Sequence, residues 1–211
     1  MRYIKTFEGH SEKRILIIVD VQRSFRKYFD NDYLKDLKHY CKRFDRVYQI
    51  FDNHVDGKSP DKDYLYDPEH NAQGHPDLYD FQNQVDAIEK RYRYDVDADF
   101  FKDVLDAETY SEVSEREDRG ELKRGDFFPT KEGTIIVYIG NNHKWFDCPK
   151  RLYDLFSEIA GTQSDGADEV TMVGGAHTEC LADIEITAKA LGVRLRLDKM
   201  HIYSATECPI K

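Results

Sequence analysis

Three groups of residues in this chain have the types and spacing to do chemistry. The first is Cys180, which follows Val170-Thr-Met-Val-Gly-Gly-Ala-His-Thr-Glu. That run reads as a buried strand, a diglycine turn and the first turn of a helix. A thiol at a helix N-terminus faces unpaired N–H groups and the positive end of the helix dipole, which lowers its pKa and readies it as a nucleophile. The same N–H groups could cradle a developing oxyanion. A small buried cysteine at a strand–helix junction fits these residues equally well. The second is Asp20, at the end of the apolar run Arg14–Asp20. A carboxylate beside a thiol can accept its proton and later deliver it to a leaving amine, although an aspartate here could equally cap a turn. The third is Asp52-Asn-His54 together with Pro68-Glu-His70. Asp and His two residues apart at a strand's end can direct two metal donors the same way, and His70 would complete a three-residue site with open positions. Histidines in a polar loop are also common surface residues, and the residues alone leave both readings open.

The elements around these residues are those of a parallel α/β sheet. Apolar segments at 14–20, 46–51, 134–139, 169–174 and 193–198 read as strands. In 32–48, Tyr33, Leu34, Leu37, Tyr40, Cys41, Phe44 and Val47 recur at helical steps and predict one apolar face. Pro149 opens a second helix carrying Leu152, Leu155, Phe156 and Ile159, and a third runs from Leu181 to Leu191, ended by Gly192. Strands alternating with helices imply a mostly parallel, Rossmann-like sheet with helices on both faces. Such sheets gather ligands at the carboxyl ends of their strands. Asp20, Asp52 and Cys180 all fall at or just after such ends, which predicts one shared site.

The 211 residues fit a single domain, 1–211, with a sizeable core. Hydrophobic residues at 40% and aromatics at 13% are ordinary for a globular protein. A net charge of −10 argues against a general nucleic-acid partner. No apolar run approaches the ~20 residues of a membrane span, and the first residues carry no signal-peptide apolar region. A soluble cytoplasmic protein that engages neither membrane nor nucleic acid is expected. Cys41, Cys148, Cys180 and Cys208 form no framework and read as reduced thiols.

Segment 76–130 stands apart, rich in charge and tyrosine. Leu78, Phe81, Val85 and Ile88 give 76–108 helical spacing, while 109–130 reads as a solvated excursion. The segment is expected to be an insertion: a surface elaboration, or a lid or oligomer contact.

Asp20-x-Gln22-x-x-Phe25 near the N-terminus, with Gly174-Gly175-x-x-Thr178-Glu179-Cys180 near the C-terminus, resembles the isochorismatase-like cysteine hydrolases. That resemblance covers most of the chain as an ordered series of segments. It implies Asp20 as general base, Cys180 as nucleophile, the backbone N–H groups of Ala176 and Cys180 as oxyanion hole, and a cis peptide in the turn at Gly175–Ala176. Asp52, His54 and His70, extended by Asn71 and Gly74, resemble the metal set of the nicotinamidase branch. The resemblance therefore implies a divalent metal, zinc or alternatively iron or manganese, that binds the ring nitrogen of a pyridine substrate. His75 is a weaker alternative ligand, and Asp61 or Asp63 would contact metal-bound water. Asp67 stands where a tryptophan often precedes the proline, so an aromatic wall is expected from Phe25, Tyr64 or Tyr66, with Trp145 as a further substrate contact.

The family's third catalytic residue is a lysine after a central strand, followed by a Tyr-Ser-Ala-Phe-like segment. The equivalent strand reads as Thr134–Phe146, where the expected slot falls near Gly140 or Asn141. Lys144 is assigned the role, with Lys90, arriving from the insertion, as the alternative. Both could instead be exposed lysines with no role. The expected function is a metal-assisted cysteine amidohydrolase that converts nicotinamide to nicotinate and ammonia, or cleaves a related small amide, through a thioester. A catalytically impaired homologue serving as a binding protein, or a metal-free isochorismatase-like hydrolase, would share most of these residues. A homo-oligomer is expected by analogy with relatives.

Overall fold

In the computed structural model of this chain, the described residues are 13–21, 25, 28–52, 85–93, 98–140, 145–164 and 168–203. The run Ile15-Leu-Ile-Ile-Val19 dictates the centre of the fold. None of its side chains exposes more than 2% of its surface, and a strand apolar on both sides needs cover on both faces. Strand β1 (Lys13–Val19) accordingly lies between β2 (Arg46–Asp52) and β7 (Asp168–Gly174), parallel to both. Strand β3 (Val85–Arg93) adds in parallel beyond β2, and β8 (Arg196–Ile202) adds in parallel beyond β7.

Alternate residues of β1 feed opposite layers. Ile15, Ile17 and Val19 pack with Leu152 and Phe156 of helix α4 (Lys150–Ser164) and with Leu181 and Ile184 of α5 (Cys180–Ala190). Leu16 and Ile18 pack with Leu34, Leu37 and Tyr40 of α1 (Asn31–Cys41). Asp30 caps α1 by accepting the Tyr33 N–H at 2.8 Å, satisfying one of the helix's first unpaired donors. Each fully buried aliphatic side chain here contributes roughly 1.5–3 kcal/mol relative to exposure.

The sheet continues past β3 with the opposite pairing. Strands β4 (Phe127–Pro129), β5 (Ile135–Tyr138) and β6 (Trp145–Asp147) are antiparallel, and β6 pairs antiparallel with the last residues of β3. The full order is β4-β5-β6-β3-β2-β1-β7-β8. Helices α2 (Ala98–Val104) and α3 (Ala107–Asp118) contribute Phe101 and Val113 to a separate cluster with Phe128, Ile136 and Trp145. The architecture is the mixed α/β, mostly parallel arrangement with helices on both faces that the sequence predicts.

Segment 76–130 departs from its sequence reading. Val85 and Ile88, spaced as if on a helix, lie in β3, an interior strand paired on both sides. Tertiary pairing overrides a three-residue spacing that both structures can carry. The charged stretch read as a solvated excursion forms α3, in which Val113 is the buried residue. Asp106 caps it by accepting the Glu108 and Thr109 N–H groups at 3.0 and 2.9 Å. Toward the C-terminus the strand expected at 193–198 is centred later, over 196–202. Phe44 and Val47 fall after α1, Val47 already in β2. No helix among the described residues is long and apolar enough to cross a membrane.

Candidate active site

The turn between β7 and α5 is built on two glycines that no other residue could replace in place. Gly174 has φ +104°, and a Cβ there would sit 2.0 Å from the Val19 carbonyl oxygen. A Cβ on Gly175 would lie 2.3 Å from the Tyr203 ring. The Gly175–Ala176 peptide is cis, as the resemblance implies. Cys180 opens α5, whose N-cap residue Glu179 makes no side-chain cap. The Glu179 and Leu181 N–H groups both donate to the Ala176 carbonyl at 3.1 Å. The Ala176 and Cys180 N–H groups, the oxyanion hole that the resemblance implies, flank this turn.

Asp20 follows β1 at φ +52°, a left-handed conformation that costs a non-glycine residue on the order of 1–3 kcal/mol. Its carboxylate oxygen Oδ2 accepts a 2.5 Å hydrogen bond from Lys90 Nζ. Both residues are about as buried as residues can be, each 1% exposed. A lysine is rarely taken fully out of water unless it is paired, because the lone charge is too costly. Here Asp20 supplies the pairing. Lys90 lies toward the carboxyl end of β3, with its Cα in register with Asp52, the last residue of β2. The sheet therefore sets Asp20, Lys90 and Asp52 at the ends of three adjacent parallel strands.

Cys180 completes the group. The residue is 9% exposed, and its thiol interacts with both Asp20 and Lys90 through charge and side-chain hydrogen bonding. The balance reverses the direction expected from the helix dipole. Burial and then the Asp20 carboxylate push the thiol up to about 12, with Lys90 opposing. The shift favours the neutral thiol, which a neighbouring base could deprotonate for nucleophilic attack.

The lysine that pairs with Asp20 is Lys90, the alternative to Lys144 at sequence level. Lys144 lies outside the described residues. The signal for Lys90 was present in Val85-Asp-Ala-Ile-Glu-Lys-Arg-Tyr: apolar residues, then a lysine with a tyrosine two positions on. Trp145, expected as a substrate contact, lies in the interior. At 1% exposed, it packs edge-on to Phe101 and Tyr138, both with ring centres 5.1 Å away, as a core residue of the third cluster. Phe25 is half-buried, 6.3 Å from the Tyr28 ring. Tyr64, Tyr66, His54, His70, His75, Asp61 and Asp63 lie outside the described residues. Among the described residues no three His, Cys, Asp or Glu side chains stand together in a metal-holding group. Cys41, Cys148 and Cys180 are buried free thiols. Sequence reasoning missed Tyr203, which touches the diglycine turn from the end of β8.

No protein-family model matches the chain, and no curated protein matches it. Among solved structures, the chain is similar to a nicotinamidase from Staphylococcus aureus at 16% identity. That likeness covers 93% of this chain and 88% of the other, with a TM-score of 0.35. It is too distant to assign chemistry.

Proposed function

We propose that the chain is a cysteine amidohydrolase acting on nicotinamide or a related small amide through a thioester. The observation that carries this reading is the buried ion pair between Lys90 and Asp20, 2.5 Å apart, set against the Cys180 thiol. A protonated nucleophile, a carboxylate to take its proton and a fixed cation to balance the charges are the parts that acyl transfer needs.

Asp20 accepts the Sγ proton as Cys180 attacks the amide carbon. The carbonyl oxygen gains the negative charge and is met by the Ala176 and Cys180 N–H groups. When the tetrahedral intermediate collapses, Asp20 returns the proton to the leaving nitrogen and ammonia departs. Asp20 then takes a proton from water as it attacks the thioester, and the acid and free thiol are released. Lys90 keeps its proton throughout and stabilises whichever of Asp20 and Cys180 is ionised.

Asp52, His54 and His70 are the residues that would hold a divalent metal. The donor set of one carboxylate and two imidazoles suits zinc, iron or manganese, and Asp52 closes β2 in register with Lys90, at the same end of the sheet. Such an ion would orient a pyridine ring through its nitrogen. The Lys90–Asp20 pair favours this reading over an impaired homologue.

The test is ammonia release from nicotinamide by wild type and Cys180→Ala, each with and without chelator. Turnover that disappears in Cys180→Ala is expected, with a fall on chelation. Turnover unaffected by Cys180→Ala would end the covalent reading, and turnover unaffected by chelator would end the metal assignment.

A further inference from the structure

We infer that Tyr203 is the positioning residue for the general base, holding Asp20 through its backbone while Lys90 holds its carboxylate. The inference rests on the reading of Asp20 as the base. Tyr203, just beyond β8, bonds to both motifs of the site. Its phenol O–H donates to the Asp20 carbonyl oxygen at 2.6 Å, fully within the interior. Its backbone N–H donates to the Gly174 carbonyl at 2.9 Å, and its ring occupies the space that a Gly175 side chain would need.

The geometry explains how a non-glycine residue is kept at φ +52°. The conformation of Asp20 is the relative orientation of the two peptide planes that flank its Cα. The preceding plane is fixed where the Asp20 N–H donates to the Ile50 carbonyl at 2.8 Å. The following plane is fixed by the Tyr203 phenol. One residue on, Gln49 Nε2 donates to the Val21 carbonyl at 3.0 Å and extends the clamp. Removing the phenol alone leaves a buried carbonyl without its donor on one side of the strained residue. The phenol is itself immobilised: Tyr28 stacks on its ring at 6.2 Å, Phe29 packs at 5.3 Å, and Tyr33 meets it edge-on at 6.1 Å. A base that must move a proton between sulfur and nitrogen needs this precision, because small displacements cost large factors in rate.

Tyr203→Phe keeps the ring, its stacking and its contact with Gly175, and deletes only the O–H. Its kcat on nicotinamide is expected to fall about tenfold, with KM within about twofold of wild type. Tyr33→Phe is the control. It deletes a comparable O–H bond, 2.8 Å to the His201 carbonyl in the same aromatic group, and is expected to leave kcat near wild type. A second arm needs no turnover: the rate at which iodoacetamide alkylates Cys180 at neutral pH, read on the Cys180 peptide by mass spectrometry. Tyr203→Phe is expected to slow this alkylation in the wild-type background and to add nothing in Asp20→Asn. Equal slowing in both backgrounds, an unchanged rate in Tyr203→Phe, or a loss of kcat that only tracks loss of folded protein by circular dichroism would overturn the inference. A wild type with no activity on any amide refutes the proposed function, while the alkylation cycle still decides the role of Tyr203.

Discussion

Around Trp145 the interior is made of rings and aliphatic chains: Phe101, Phe128 and Tyr138 surround the indole, with Leu105, Val113 and Ile136 behind them. On the other side of β3 the interior holds Asp20, Gln49, Lys90, Thr171, Asp183 and Thr187 as well as its apolar residues. The first region is a satellite core of antiparallel strands and short helices, with Thr134 as its buried polar residue. The second buries charges that hydrophobic replacements of similar volume would match or better in stability. Strand β3 belongs to both. Residues 85–90 pair in parallel with β2, and 91–93 pair antiparallel with β6. Lys90 is the last residue of the parallel register. The proposed site thus sits toward the ends of the parallel strands, and the antiparallel strands extend the sheet beyond it.

If that contrast is right, removing one charge from the polar side should do the most damage. Lys90→Met leaves Asp20 buried without its cation, and a loss of about 3–5 kcal/mol is expected in denaturant melts, with amide turnover abolished. The double variant Asp20→Leu/Lys90→Met should recover most of that stability and none of the activity. A double variant as unstable as the single one would show that the pair holds the fold together, contrary to this account.

Phe101→Ala probes the apolar side. A cavity beside Trp145 is expected to cost about 3–4 kcal/mol, comparable with the charge deletion, while kcat per folded molecule stays at the wild-type value. A fall in kcat at full folding would mean that the satellite core reaches the site. Arg124 is the visible link between the two regions, pairing with buried Asp183 of α5 at 2.7 Å.

Alkaline pH gives a smaller and graded effect. Burial raises the Cys41 thiol from 9.0 to about 12 and pushes the Cys148 thiol up as well. Cys180 rises to about 12 through burial and Asp20, with Lys90 opposing. A thiol raised in the folded state stabilises the fold fully below its unfolded value near 9, and that stability is lost as pH climbs toward 12. Thermal melts should therefore show a falling midpoint above pH 9, the more so because half-buried Tyr33 and buried Tyr203 are raised in the same sense. A midpoint flat across this range would show that the thiols are not held neutral by burial. The smallest change expected is Asp106→Ala, which removes the α3 cap, costs about 1 kcal/mol and leaves turnover untouched.

The parallel core was legible because β1 is a near-continuous apolar run, and α1 and α4 have clean helical faces. The turn before Cys180 was legible because two glycines before a helix mark a turn with little alternative. Lys90 was obscured for a physical reason. A strand that turns charged at its end, next to a tyrosine-rich stretch, looks like a solvated surface until its pairing partners are known. Trp145 misled in the opposite direction, since a lone tryptophan near a strand end suits a binding wall and a core equally. Tyr203 gave no local signal at all. Its role depends on contacts to residues 20 and 174, which only the fold brings together.

The central claim is that Cys180, served by Asp20 and Lys90, forms a covalent bond to an amide's acyl group. Rapid acid quenching during turnover of nicotinamide, followed by peptide mass spectrometry, reads that bond directly. A nicotinoyl thioester on Cys180 that disappears as substrate is exhausted, and that is missing in Lys90→Met, is the predicted result. Sustained ammonia release with no acyl group on Cys180, undiminished in Cys180→Ala, would contradict it.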